Sequence, residues 1–229
     1  VFATDGKALR GAYERGRKAT PLHLVNVWAA EARMVIGQRL APGRNEVIGG
    51  QQALALLSLQ GCIVTADALH CPRDTAEATL RTGADYALAL KDNHPRLLWK
   101  AKALWEAAGH PEEVVSELAP AHDRAERRRA GVIEVEGLDF PGVAAIGRVE
   151  TLRAPNGQAE TTVVRWFLLS AALTPSRMLD VARAHWTIEN QLHWVLDVTL
   201  GEDAARSRKD SAPQNLALLR KLALNILRR

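Results

Sequence analysis

Two cysteines, Cys62 and Cys71, are all that 229 residues contain. They are too few for a disulfide framework and lack zinc-ligand spacing, so a reducing cytoplasm is the expected setting. No apolar run approaches the ~18 residues of a membrane span, and no membrane partner is expected. The opening VFATDGKALR has neither the basic start nor the apolar stretch of a signal peptide. Internal repeats, low-complexity segments and the metalloprotease pattern H-E-x-x-H are also missing. Lysine is scarce, 7 residues against 23 arginines. The chain starts at Val1, not Met, so a fragment with sequence lost upstream is expected.

What is present is the composition of an ordinary soluble globular protein, 47% hydrophobic and 24% charged. The length suits one large domain, or a core carrying a big insertion. The net charge is +4, and the arginines cluster at Arg127–Arg129, in the RSRK tract Arg206, Arg208 and Lys209, and at Arg228–Arg229. Guanidinium forks suit phosphate. A GC-rich genome decorating solvated faces with arginine gives the same bias, so charge alone leaves nucleic acid open.

Three strand-like runs come first: VFATDGKALRG, PLHLVNVWAA and RMVIGQRLA. They predict an antiparallel meander. NEVIGGQQALALLSL has helical spacing, with Asn45 as N-cap and Glu46 in the first turn. GCIVTADALH is a strand closed by Asp67, without alternation and so buried on both faces. A helix to Gly83, the strand ADYALALKDN and a helix from Pro95 to Gly109 follow. Strands alternating with helices predict a mixed sheet with helices packed on it. From 111 to 172, AERRRAGVIEVEGL, VAAIGRVETLR and TTVVRWFLLSAAL predict a β-rich insertion with turns at DFPG and APNGQ. From 173 to 229 the chain reads as helical, with one long helix to about Asp197 and another after Pro213. The expected division is therefore a core over 1–110, the insertion over 111–172 and a helical completion over 173–229.

Asp5 and Asp67 each end an apolar strand, where ligands bind in open α/β sheets. Aspartate also favours turns, and Asp74, Asp85 and Asp92 occupy comparable places, so pattern alone does not select the pair. Glu189 lies on the late helix in HWTIENQLHWVLD. At 100° per residue it falls at the edge of the arc of Leu192, Leu196, Ile188, Val195 and Val181, beside His185 and His193. A carboxylate there is expected to be partly desolvated and in need of a cation or partner. A zinc clasp by His185, Glu189 and His193 is disfavoured, because the outer two stand ~12 Å apart on a helix. Three carboxylates from two strands and a helix are an all-oxygen donor set, which favours Mg²⁺ or Mn²⁺.

DGKALRG, HLVNVW, NEVI, GCIVTADALHC, GADYALALKDNH, HDRAERRR and HWTIENQLHWVLDVTLGEDAAR occur in this order over nearly the whole chain. The ordered set resembles the DDE transposases of bacterial insertion sequences, in the H-repeat-associated branch. The resemblance implies a ribonuclease-H-like α/β fold with a β-rich insertion before the last catalytic helix. It also implies Asp5, Asp67 and Glu189 as catalytic and metal-binding acids, holding two Mg²⁺ or Mn²⁺ ions. The implied activity is cleavage at transposon ends and strand transfer into target DNA. The partners are double-stranded DNA and, once assembled on it, further copies of the chain in the bacterial cytoplasm. An inactive remnant that binds DNA or intact transposase is the alternative. Lys91, Asn93, His122, Arg124, His185, Arg206, Arg208 and Lys209 are candidate DNA contacts.

The chain departs from the wider pattern Y-x2-R-x3-E-x6-K around the third acid. Ala182, His185 and Leu196 stand at its Tyr, Arg and Lys places, with His185 and Arg183 nearest to substitute for the arginine. KDNH matches a KGNQ-like loop at Lys91 and Asn93 but not at His94. Asp123 replaces a usual glycine. Family members also carry about a domain's worth of sequence before DGK.

Overall fold

The computed structural model describes residues 1–13, 21–109, 111–118, 124–155 and 161–228. Three strands open the chain: β1 (Phe2–Tyr13), β2 (Pro21–Ala29) and β3 (Met34–Leu40) form the expected antiparallel meander. Helix α1 (Glu46–Leu54) follows, its first turn closed by the Asn45 side chain, which accepts from the Ile48 N–H. Then come β4 (Ile63–Ala66), α2 (Arg73–Arg81), β5 (Asp85–Leu90) and α3 (Pro95–Ala107). Gly83, at φ 78°, takes the left-handed conformation that lets α2 stop and the chain turn into β5.

The 111–172 stretch supplies four strands: β6 (Glu113–Leu118), β7 (Arg124–Glu134), β8 (Ala145–Pro155) and β9 (Thr161–Leu169). They add to the core sheet edge-on, β9 lying antiparallel to β5, to give one nine-stranded sheet in the order β3-β2-β1-β4-β5-β9-β8-β7-β6. β1, β4 and β5 are parallel to one another. A mixed sheet with helices on both faces is the ribonuclease-H-like arrangement that the motifs imply. β6 was not among the expected strands: EVVSEL is a short edge strand with glutamates on either side of its two valines, and its hydrophobic signal is weak.

Both faces are covered, which explains the unalternating strands. In β5, Tyr86, Leu88 and Leu90 pack with Leu98 and Trp105 of α3 and with Ile146 and Leu168. Ala87 and Ala89 point to the opposite face, toward Met178, Leu179 and Val181 of α4 (Pro175–Thr187). Small residues here let α4 lie close: a Cβ on Gly147 would stand 2.9 Å from the Met178 sulfur.

The long late helix is not α-helical to its end. At Ile188–His193 and again at Val195–Thr199 it widens to π-helix, with the Trp194 N–H reaching Glu189 O and the Leu200 N–H reaching Val195 O. Thr187, at the junction, donates back to Ala184 O and accepts from buried Trp28 Nε1 at 2.8 Å. The last helix, α5 (Ala212–Leu227), crosses β3, where Asn225 takes the place of a neighbouring strand by bonding both the N–H and the C=O of Val35. No helix is long and apolar enough to cross a membrane among the described residues.

Lys221 of α5 is 1% exposed and donates to Gln38 Oε1 at 2.7 Å. Burial pushes its pKa down to about 8, with Glu202 opposing and Lys7 and Arg220 assisting. An unfolded lysine titrates near 10.5, so between about 8 and 10.5 the unfolded chain binds more protons and stability gains as pH rises. Denaturant unfolding across that window is expected to show wild type gaining on Lys221→Met as pH rises; a constant difference between the two would contradict the assignment.

Candidate active site

Asp5 and Asp67 meet through strand register. β1 and β4 pair in parallel as Ala3↔Thr65 and Thr4↔Ala66, so the next residues on each strand are Asp5 and Asp67. Neighbouring strands stand ~4.8 Å apart, and alternate side chains share a face. Ala3, Asp5 and Lys7 therefore project beside Thr65 and Asp67, on the face that α4 and its π-helical continuation cover.

The helix crosses this pair with a histidine at each end of the crossing. His185 Nδ1 lies 3.1 Å from Thr65 Oγ1 on β4, and His193 Nδ1 lies 3.4 Å from Asp5 Oδ2 on β1. Glu189 falls midway between them in sequence and shares with Asp5 a cleft of about 420 Å³, also lined by Asn190, Trp194 and Asp197. A larger cleft of about 850 Å³, between β3, the end of α1 and α5, contains none of the three acids.

Glu189 itself is exposed, not half-desolvated as the 100° wheel implied. The π-helix closes its bonds at i→i+5, so each residue advances less than 100° about the axis. Ile188, Leu192 and His193 turn inward and Glu189 outward.

His193 is buried, and burial, with the charges of Lys7 and Lys221, pushes its pKa down to about 3 against the pull of Glu46. The ring is therefore neutral and carries one N–H. Asn26 Nδ2, 3.3 Å from Nε2, makes that nitrogen the acceptor. The proton is then on Nδ1, aimed at Asp5. Asn26 is also the cross-strand partner of Asp5, so strand pairing and the histidine fix the carboxylate together.

Asp67 is held differently. Its Oδ1 accepts from the Ala68 N–H at 2.6 Å and from Lys91 Nζ at 2.8 Å. Burial pushes its pKa up, but the Lys91 and Ala68 hydrogen bonds and the charges of Lys91 and His185 outweigh it and keep the carboxyl below its usual range. Asn93 donates to Ala68 O at 2.8 Å, so the KDNH loop braces the turn that presents Asp67.

Of the other candidate DNA contacts, Arg208 lies over the Tyr13 ring at 4.0 Å and donates to Gly11 O, which ties its tract to β1. Arg206 and Lys209 are exposed. Arg183 donates to Ser116 Oγ at 2.6 Å and points away from the acids. His122, Asp123 and the side chain of Arg124 lie outside the described residues. Sequence reasoning passed over Lys7 and Asn26 as parts of the site, and placed His193 beside Glu189 without identifying its partners. A signal for Asn26 was present, since an amide within the apolar strand LVNVW needs a buried partner.

A model of the "Transposase DDE domain" family matches residues 1–226. The chain belongs to the DDE transposase family. It is similar to "Putative protein YbfL" of Escherichia coli K12, 32% identical over 240 residues that cover 99% of this chain and 64% of that protein. It is likewise similar to the "H repeat-associated putative transposase YhhI" of the same strain, 32% identical over 242 residues with the same coverage. "Putative transposase YncI" of E. coli O157:H7 is 31% identical over 240 residues, covering 100% of this chain and 62% of that protein. The chain thus spans a little under two thirds of the length of these relatives.

DDE transposases as a family use divalent metal ions. The donor chemistry here fits: three carboxylates suit a hard cation, and Asp67 already carries one cation, the Lys91 ammonium. Among the described residues, however, no three His, Cys, Asp or Glu side chains converge into a metal-binding group. The acids of this DDE chain stand as a register pair and a third on the helix above, with Asp67 occupied by lysine.

Replacing Lys91 by Met removes the leading force that lowers the Asp67 pKa and leaves burial to act. Carboxyl ¹³C titration of Asp67 is expected to move its midpoint upward in Lys91→Met, and an unmoved midpoint would show the lysine to be a bystander.

Proposed function

We propose that the chain is the catalytic domain of a DNA transposase, cleaving phosphodiesters at insertion-sequence ends and joining the freed ends to target DNA. The observation that carries this reading is the register pairing that sets Asp5 beside Asp67 beneath the helix bearing Glu189, in a chain of the DDE transposase family. Asp5, Asp67 and Glu189 would hold two Mg²⁺ or Mn²⁺ ions, which supply an activated water or 3′-hydroxyl and charge neutralisation at the leaving oxygen.

The protein's own groups prepare the site. His193 Nδ1–H and Asn26 fix the orientation of Asp5, and the Lys91 ammonium keeps Asp67 ionised. Lys7, 7% exposed, sits among Asp197, Glu202 and Asp203 at the other end of the cleft and keeps that acidic group from repelling itself. Trp194, 58% exposed beside Glu189, offers a flat apolar wall. The polyanionic substrate is double-stranded DNA, on which copies of the chain assemble.

An end-bearing duplex incubated with Mn²⁺ is the test, comparing wild type with Glu189→Gln, a near-isosteric change at an exposed position. Wild type is expected to nick the duplex, and the variant to lose on the order of 10²-fold or more in rate, as for loss of a transition-state charge stabiliser. Equal activity removes Glu189 from the site. If both are inert while DNA is still bound, the alternative of an inactive remnant is favoured.

A further inference from the structure

The strands added beyond β5 bring arginines to the face on which α4 lies. Register sets Arg153 opposite Glu126, Thr151 opposite Arg128, and Val149 opposite Arg165, so alternation puts all three arginines and Glu126 on one face. Glu126 serves two of them, Arg128 at 3.2 Å and Arg153 at 3.7 Å. Arg165 makes no ion pair within 4 Å among the described residues, and only the more distant Glu126 and Asp67 charges favour it. Its guanidinium lies over the Trp186 ring, 5.1 Å from the centroid.

Arginine does not shed its charge. A half-buried guanidinium beside two others is unfavourable unless an anion joins it. Burial and the Arg153 and Arg128 charges push its pKa down, while Glu126 and Asp67 oppose them. Its position is equally telling. β9 pairs with β5 as Trp166↔Leu90, so the next pair along is Arg165 and Lys91, and Lys91 is the residue whose ammonium rests on Asp67. The family's arginine place on the helix is filled by His185, which is turned to Thr65, and Arg183 is turned to Ser116. Trp186 is the next residue after His185, and at 39% exposure it presents its ring to Arg165 from the same turn of helix.

We propose that Arg165, held in place by the Trp186 ring, binds a backbone phosphate of the DNA beside Asp67. This rests on the transposase reading. The phosphate is a diester within DNA, since the row of guanidiniums runs on from Arg165 along β7 and β8 through Arg128 to the more exposed Arg153.

The experiment is a titration of the whole chain with duplex DNA between about 50 and 200 mM salt. Arg165→Ala is expected to weaken binding about tenfold at the low end, as for loss of one charged hydrogen bond. It should also reduce the magnitude of the log K against log[salt] slope by about 0.9, one phosphate contact. Arg165→Lys, which keeps charge and bulk, should retain the slope and lose part of the affinity with its fork. Trp186→Ala should likewise lower affinity with the slope kept. Unfolding midpoints without DNA verify that each variant is folded. Equal slope and affinity for wild type and Arg165→Ala would sink the proposal while leaving the transposase reading intact. A wild type with no salt-dependent DNA binding removes both. Inorganic phosphate at matched ionic strength should displace no more DNA than chloride does; Arg165-dependent displacement means a free-anion site and overturns the proposal.

Discussion

Parallel pairing of β1 with β4 forces two carboxylates side by side, and much of the surrounding structure answers that one constraint. Like charges carried on neighbouring strands disfavour each other's ionised form unless each is given a donor. Neither can retreat, because Asp5 is in mid-strand and Asp67 caps the turn Ala68–His70. The chain meets each with its own donors. Asp67 has a backbone N–H and the Lys91 ammonium, and Asp5 has the Nδ1–H of a neutral, buried histidine. The two solutions differ in character. A lysine half exposed to water can leave, whereas a ring locked between Asn26 and Asp5 beneath a packed helix is fixed.

The same constraint extends across the sheet as a polar row within an apolar layer. Asn26 stands opposite Asp5, and Gln38 stands opposite Asn26, so three adjacent strands carry one polar residue each at the same level. Helices close the row from above: His193 bonds Asn26, and Lys221 bonds Gln38. Around it lie Ala3, Trp28, Leu192, Leu196 and Leu224. Hydrogen bonds between buried polar groups fix the position of what they join. The joined elements here are α5 and the π-helical stretch, so Glu189 is positioned by bonds its neighbours make to the sheet.

Much of this was legible in residue order. The meander, the Asn45 cap, Gly83 after α2, and the alternation of strands with helices each have a local cause that the sequence carries. The acids were not legible individually, since Asp74 and Asp85 look much like Asp5 and Asp67 until strand register is known; the ordered motifs singled them out. Three features escaped for identifiable reasons. β6 has too few apolar residues to stand out from a loop. The π-helix defeats a wheel that assumes a fixed angle per residue, which is why Glu189 was expected at the edge of the buried face. The contacts of Lys91 with Asp67 and of His193 with Asn26 join residues 24 and 167 positions apart, and periodicity carries no information about such partners.

The β-rich stretch expected as an insertion continues the core sheet, so its strands run on from those that carry Asp67 and Lys91. α4 packs on β7 and β8 through Val149 and Ala130, and on the core through Ala87 and Ala89, so one helix spans both. A single rigid element then carries Trp186 toward the arginines of the added strands and His185 toward β4. Carboxylates end up on the core strands and three guanidiniums sharing Glu126 on the added ones, with Lys91 and Arg165 at the seam. A phosphodiester needs both: negative oxygens to hold cations at the scissile bond, and fixed positive charge along the flanking backbone. Under the proposed function, a face divided in this way would orient a polyanion across the seam, with α4 holding the two halves in register.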